Sequence, residues 1–152
     1  MKSQKEWFEE YAESHQNITN QRIHYVCVPL IFFSIVGMIM SIPSGTLSHL
    51  LGFYDPVFVN WAAPILLLLM LFYIRLSFKT FFLMLLFSLF SLYGNYLLSE
   101  MMPLLYTSIA IFIIAWIGQF YGHKVEGKKP SFFKDLQFLL IGPAWVFEKM
   151  SR

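Results

Sequence analysis

Between Ile23 and Ile74, and again between Thr80 and His123, the chain contains no lysine or arginine. Few folds tolerate such gaps, because a water-soluble domain spreads charge over its whole surface, on about a quarter of its residues. Here charged residues make up 13% of 152 and hydrophobic ones 57%. A soluble domain of this size could not bury that much apolar surface. A bilayer accepts it, so the sequence predicts an all-α integral membrane protein, a single domain over residues 1–152.

A hydrocarbon core about 30 Å thick takes roughly 20 apolar residues in a helix. Four stretches qualify: 24–42, 57–74, 80–98 and 103–121. Pro43-Ser44-Gly45 ends the first and Asp55-Pro56 precedes the second, while Arg75 to Lys79 makes a tight hairpin between the second and third. All eleven basic residues lie in the N-terminal segment, that hairpin or the tail after His123. With four spans those three regions share one side, which the positive-inside rule makes cytoplasmic, with both termini on it. The +2 net charge gives no footprint for nucleic acid. Residues 1–22 hold Glu6, Glu9, Glu10 and Glu13, unlike a basic leader, so the first apolar run reads as a retained span.

The two ends read as helices at the membrane surface. Ser3 and Glu6 have capping-box spacing, and Trp7, Phe8, Tyr11 and His15 then share a face, as in an interfacial helix. Residues 132–147 are apolar but contain Lys134 and Asp135 and are interrupted by Gly142-Pro143, which favours an interfacial or re-entrant helix. Pro29 and Pro64 are expected to kink their spans.

Four histidines remain to be placed. The topology puts His15, His24 and His123 at the cytoplasmic boundary and His49 a bilayer thickness away. His15 and His24 are nine residues apart, so at about 100° per residue a continuous helix would set them on opposite faces. They converge only if the chain turns at Asn17-Ile18-Thr19-Asn20, where Asn20 is a candidate cap. Tyr11, Asn20 and Gln119 each stand four residues before a histidine and are placed to orient an imidazole. Glu126 adds a carboxylate three residues after His123, as ligand or base. Imidazole with carboxylate suits iron, zinc, copper or nickel. The same histidines are also compatible with side chains that merely face a polar boundary and bond to backbone. Cys27, one turn from His24, reads as a small apolar group rather than a ligand. Arg22, Lys124, Lys128 and Lys129 form a basic rim, either from the positive-inside rule alone or to hold a lipid head group.

Two strings carry a resemblance: Tyr11-x3-His15-x-Asn17-x2-Asn20-x3-His24-x4-Pro29, and Gln119-Phe120-x-Gly122-His123-x2-Glu126-x3-Pro130. Together they resemble the 2-hydroxy fatty acid dioxygenase family, which includes the fungal enzyme of phytosphingosine breakdown. The closing Asp135-Leu136-Gln137-x4-Ile141-Gly142-Pro143 is similar to its bacterial members. The resemblance implies a membrane enzyme that uses Fe2+ and O2 to shorten a 2-hydroxy fatty acid by one carbon, in a bacterial inner membrane. It implies that His15, His24 and His123 hold the iron. Tyr11, Asn20, Gln119 and Glu126 would serve catalysis, and Arg22 and Lys124 the substrate head group. Some relatives carry a histidine where this chain has Gln16. The rival readings are another metal-dependent lipid-modifying enzyme, against which the absence of histidine-box clusters counts, and a non-enzymatic scaffold or lipid-binding protein.

Overall fold

Polar residues with short side chains decide where the helices begin. In the computed structural model, which describes residues 3–13, 15–127 and 138–150, Ser3 Oγ accepts from the Glu6 N–H and the Ser3 N–H donates to Glu6 Oε2. That is the expected capping box, and it opens α1 (Gln4–Glu13). Asn17, not Asn20, caps α2 (Ile18–Met40): its Oδ1 accepts from the Thr19 N–H at 2.8 Å. The cap falls three residues earlier than expected, which frees Asn20 to point elsewhere.

Among the described residues there are five further helices and no strand: α3 (Gly45–Leu51), α4 (Ala62–Leu76), α5 (Phe78–Met101), α6 (Leu104–Glu126) and α7 (Gly142–Met150). Three of the seven, α2, α5 and α6, are long and apolar enough to cross a membrane. At 1.5 Å per residue, 23 or 24 residues reach about 35 Å. Within the second expected span, 57–74, the helix is shorter than the stretch. Its helix α4 starts only at Ala62 and runs for 15 residues, about 22 Å. Two side chains hold its first residues in turns. Asp55 Oδ1 accepts from the Val57 and Phe58 N–H groups, and Asn60 Oδ1 from those of Ala62 and Ala63. Pro64 therefore sits in the first turn of α4, where a missing N–H costs nothing, rather than at a kink. The hairpin at 75–79 is as tight as expected, with Ser77 alone between α4 and α5 and capping Thr80.

The chain divides into two compact units, Met1–Phe32 with Phe112–Arg152, and Phe33–Ile111. In the second unit the helices meet through small and polar residues, as helices in lipid do. Asn95 Nδ2 donates to the carbonyls of Phe33 and Ser91, and a Cβ on Gly37 would collide with Ser108 and Asn95. The outward faces stay apolar. Leu67, Leu71, Leu86 and Phe90 are each more than 60% exposed, a surface that suits lipid and not water.

In the first unit the apolar face of α1 is covered by protein. Tyr11 joins Val28, Phe138, Trp145 and Val146 in one cluster, with Trp7, Phe8 and Tyr25 packed against it. The face expected to rest on lipid is thus spent on α2 and the C-terminal segment. Gly142 and Pro143, read as an interruption, instead open α7, with Pro143 in its first turn. Of the expected helix 132–147, residues 132–137 lie outside those described, as do Lys128, Lys129, Pro130 and the Asp135-Leu136-Gln137 motif.

Candidate metal centre

The break between α1 and α2 lets two histidines nine residues apart face each other. His15 follows α1, His24 lies nearly two turns into α2, and His123 occupies the last turn of α6. Their ring centroids are 4.2 Å (His15–His24), 5.2 Å (His24–His123) and 5.7 Å (His15–His123) apart. All three are buried, at 2%, 1% and 4% exposure. One nitrogen from each lies within 4.8 Å of the others.

Backbone carbonyls fix two of the rings. His15 Nδ1–H donates to the Tyr11 carbonyl at 2.6 Å and His24 Nδ1–H to the Asn20 carbonyl at 2.9 Å. A carbonyl only accepts, so both hydrogens sit on Nδ1 and the lone pair is on Nε2, as in metal-binding histidines. Three buried imidazoles form a donor set for a divalent first-row metal. The residues therefore fit a metal ion, which His15, His24 and His123 could hold.

Two of the three residues expected to orient these rings, Tyr11 and Asn20, touch them in an unexpected way. Tyr11 and Asn20 act through their backbone carbonyls. The Tyr11 ring also stacks on His15, 4.2 Å away and 10° from parallel, and Asn20 Nδ2 donates to Glu126 Oε2 at 2.9 Å. Glu126 lies outside the three-histidine group. Its carboxylate accepts from the Gln16 N–H on one oxygen and from the Asn17 N–H and Asn20 Nδ2 on the other, all at 2.9 Å. Hydrogen bonds to a carboxylate are among the stronger ones. Glu126 is therefore a clamp that ties the end of α6 to the turn carrying His15. Gln119 is buried, one turn before His123, and its Oε1 has no hydrogen-bond donor among the described residues. Cys27 and His49 also stand outside the group; His49 is exposed on α3. Arg22 and Lys124 are exposed on α2 and α6, within the same unit as the histidines.

Three contributors escape a reading by residue chemistry alone. Trp145 is buried against Tyr11 (5.0 Å) and His15 (5.7 Å) and closes the site from α7. Gln21 Nε2 donates to the His15 carbonyl, and its Oε1 accepts from Lys149 Nζ at 3.0 Å, so a second polar link joins α7 to the histidine turn. The third is a pair of glycines one turn apart on α6. A Cβ on Gly118 would lie 2.6 Å from Cys27 Sγ, and one on Gly122 would collide with Asn20 Oδ1 and meet His24 Cε1 at 3.5 Å. The spacing Gly118-x3-Gly122 is the small-residue signature that lets two helices approach closely, and it is visible in the sequence.

With this geometry in place, the chain can be set beside known proteins. A family model described as 2-hydroxy-palmitic acid dioxygenase Mpo1-like matches residues 1–152, the whole chain. No curated protein and no solved structure matches it.

Proposed function

Because the chain belongs to the 2-hydroxy-palmitic acid dioxygenase Mpo1-like family, we propose that it is an Fe(II)-dependent membrane dioxygenase that shortens 2-hydroxy fatty acids by one carbon. The observation that carries the reading is the convergence of His15, His24 and His123, with one nitrogen of each inside a 4.8 Å span. Iron(II), when bound, supplies the open positions and redox chemistry that O2 and a 2-hydroxycarboxylate require.

The remaining residues prepare that site. Tyr11 and Trp145 cover His15 and keep water from it. Asn20 and Glu126 hold the α1–α2 turn against the end of α6. Arg22 and Lys124, exposed and basic, draw the substrate carboxylate toward the boundary, while the acyl tail lies along the apolar helices. In this reading α4 completes four spans with the help of the turn before it, both termini are cytoplasmic, and the setting is a bacterial inner membrane. The reaction balances as one 2-hydroxy acid and one O2 giving the acid one carbon shorter, CO2 and water.

The test is product analysis. Detergent-purified, Fe(II)-loaded protein given 2-hydroxyhexadecanoate in air is expected to yield the fifteen-carbon acid by mass spectrometry, and none under nitrogen. An intact, further hydroxylated chain would replace this reading with a hydroxylase. Substrate left unchanged in air would remove the dioxygenase assignment altogether.

A further inference from the structure

Beside the histidines lies a small cavity lined by His24, Tyr11, Trp116, Ile31, Gln119 and Gly142, among others. Its volume of about 10 Å³ is near the minimum for one water molecule. Most of the lining is apolar. Its polar members are His24, Tyr11 and Gln119, and Gln119, 95% buried, presents an Oε1 that accepts no hydrogen bond from any described residue. A buried amide oxygen without a donor is costly to keep unless a ligand supplies one. The space has room for one small group, and the oxygen calls for one that donates.

A carboxylate cannot meet that demand, because once ionised it only accepts. A hydroxyl can. We propose that Gln119 is the specificity residue of the site, its Oε1 accepting the hydrogen of the substrate's 2-hydroxyl and so selecting 2-hydroxy acids over unsubstituted fatty acids. The proposal rests on the function argued above and adds how the substrate class is recognised. It follows the general asymmetry of polar pockets: a site built to bond a hydroxyl rejects the analogue that lacks it, because its own polar group is then left buried and unmatched. Gly142 leaves room for the arrangement. A Cβ there would press on Val28 at 3.0 Å and on the Tyr11 hydroxyl at 3.3 Å, two residues that line the same cavity.

The experiment compares binding without turnover. Fe(II)-loaded protein is titrated under nitrogen with 2-hydroxyhexadecanoate and with hexadecanoate, with tryptophan fluorescence as the readout and iron content measured alongside. The wild type is expected to bind the hydroxylated acid about 10-fold more tightly, given one hydroxyl bond in a buried site. Gln119→Met and Gln119→Leu, both apolar and of similar size, are expected to bring the two affinities within about twofold while iron content holds. Two substitutions guard against one of them failing to fold. A preference that persists in a folded, iron-loaded variant overturns the assignment, as does loss of iron from both, which would give Gln119 a role in holding the metal site instead. A wild type with no preference between the two acids would count against the substrate class itself.

Discussion

His24→Ala is expected to abolish both stoichiometric metal binding and O2-dependent chain shortening. His24 is the most central of the three imidazoles, 1% exposed, with its ring 4.2 Å from His15 and 5.2 Å from His123. Losing a residue that only orients a ligand costs roughly 10–100-fold in metal affinity, so losing the ligand itself should cost at least about 100-fold. Metal analysis after dialysis against a weak chelator, paired with the lipid assay, checks both effects. The fold should survive, since α2 is anchored elsewhere through Asn95 to the Phe33 carbonyl and through Val28 in the aromatic cluster. A His24→Ala protein that keeps its metal and its turnover would take His24 out of the centre.

The second large effect is expected at a residue with no side chain. Gly122→Val places a Cβ against Asn20 Oδ1 and adds two methyl groups to a carbon already in contact with His24 Cε1 at 3.5 Å. Neither neighbour yields easily: Asn20 is fully buried with its Nδ2 bonded to Glu126, and the His24 ring is held by the Asn20 carbonyl. Overpacking of this kind costs about 1–3 kcal/mol, and relief requires α6 to move off α2, which carries His123 away from His24. The expected result is a lower melting temperature in detergent together with metal affinity reduced about 10-fold or more. Gly122→Ala should fall between this variant and the wild type. Unchanged metal affinity in Gly122→Val would mean that the close approach of α2 and α6 does not position the histidines.

Both effects depend on helix approach, and that is where reading the sequence stopped short. The histidine set was legible because the distribution of Lys and Arg gave a topology, and the topology put His15, His24 and His123 on one side and His49 on the other. The need for a turn between His15 and His24 followed from helical geometry, and the chain breaks there. The hairpin at Ser77 was legible for the same reason, as polar residues between two apolar runs.

What failed was local competition between side chain and backbone. Nothing in hydropathy separates residues 57–61 from the helix that follows, yet Asp55 and Asn60 capture the N–H groups there and delay α4 to Ala62. The apolar face of α1 has the pattern of a membrane-surface helix, and only the fold reveals that Val28, Phe138 and Trp145 cover it. Glu126 illustrates a further limit. A carboxylate three residues from a histidine has the spacing of a ligand, but the N–H groups of Gln16 and Asn17 claim it from more than a hundred residues away in sequence. Long-range hydrogen bonds of that kind leave no periodic trace.

At the centre of the proposed function are three imidazoles, from both ends of the chain, sharing one ion. X-ray absorption at the iron edge of anaerobically purified protein tests this directly. One iron per chain, with scattering from three imidazole nitrogens near 2.1 Å and oxygen in the remaining positions, is the predicted result. Iron well below one per chain after Fe(II) loading, or iron without imidazole scattering, would contradict it.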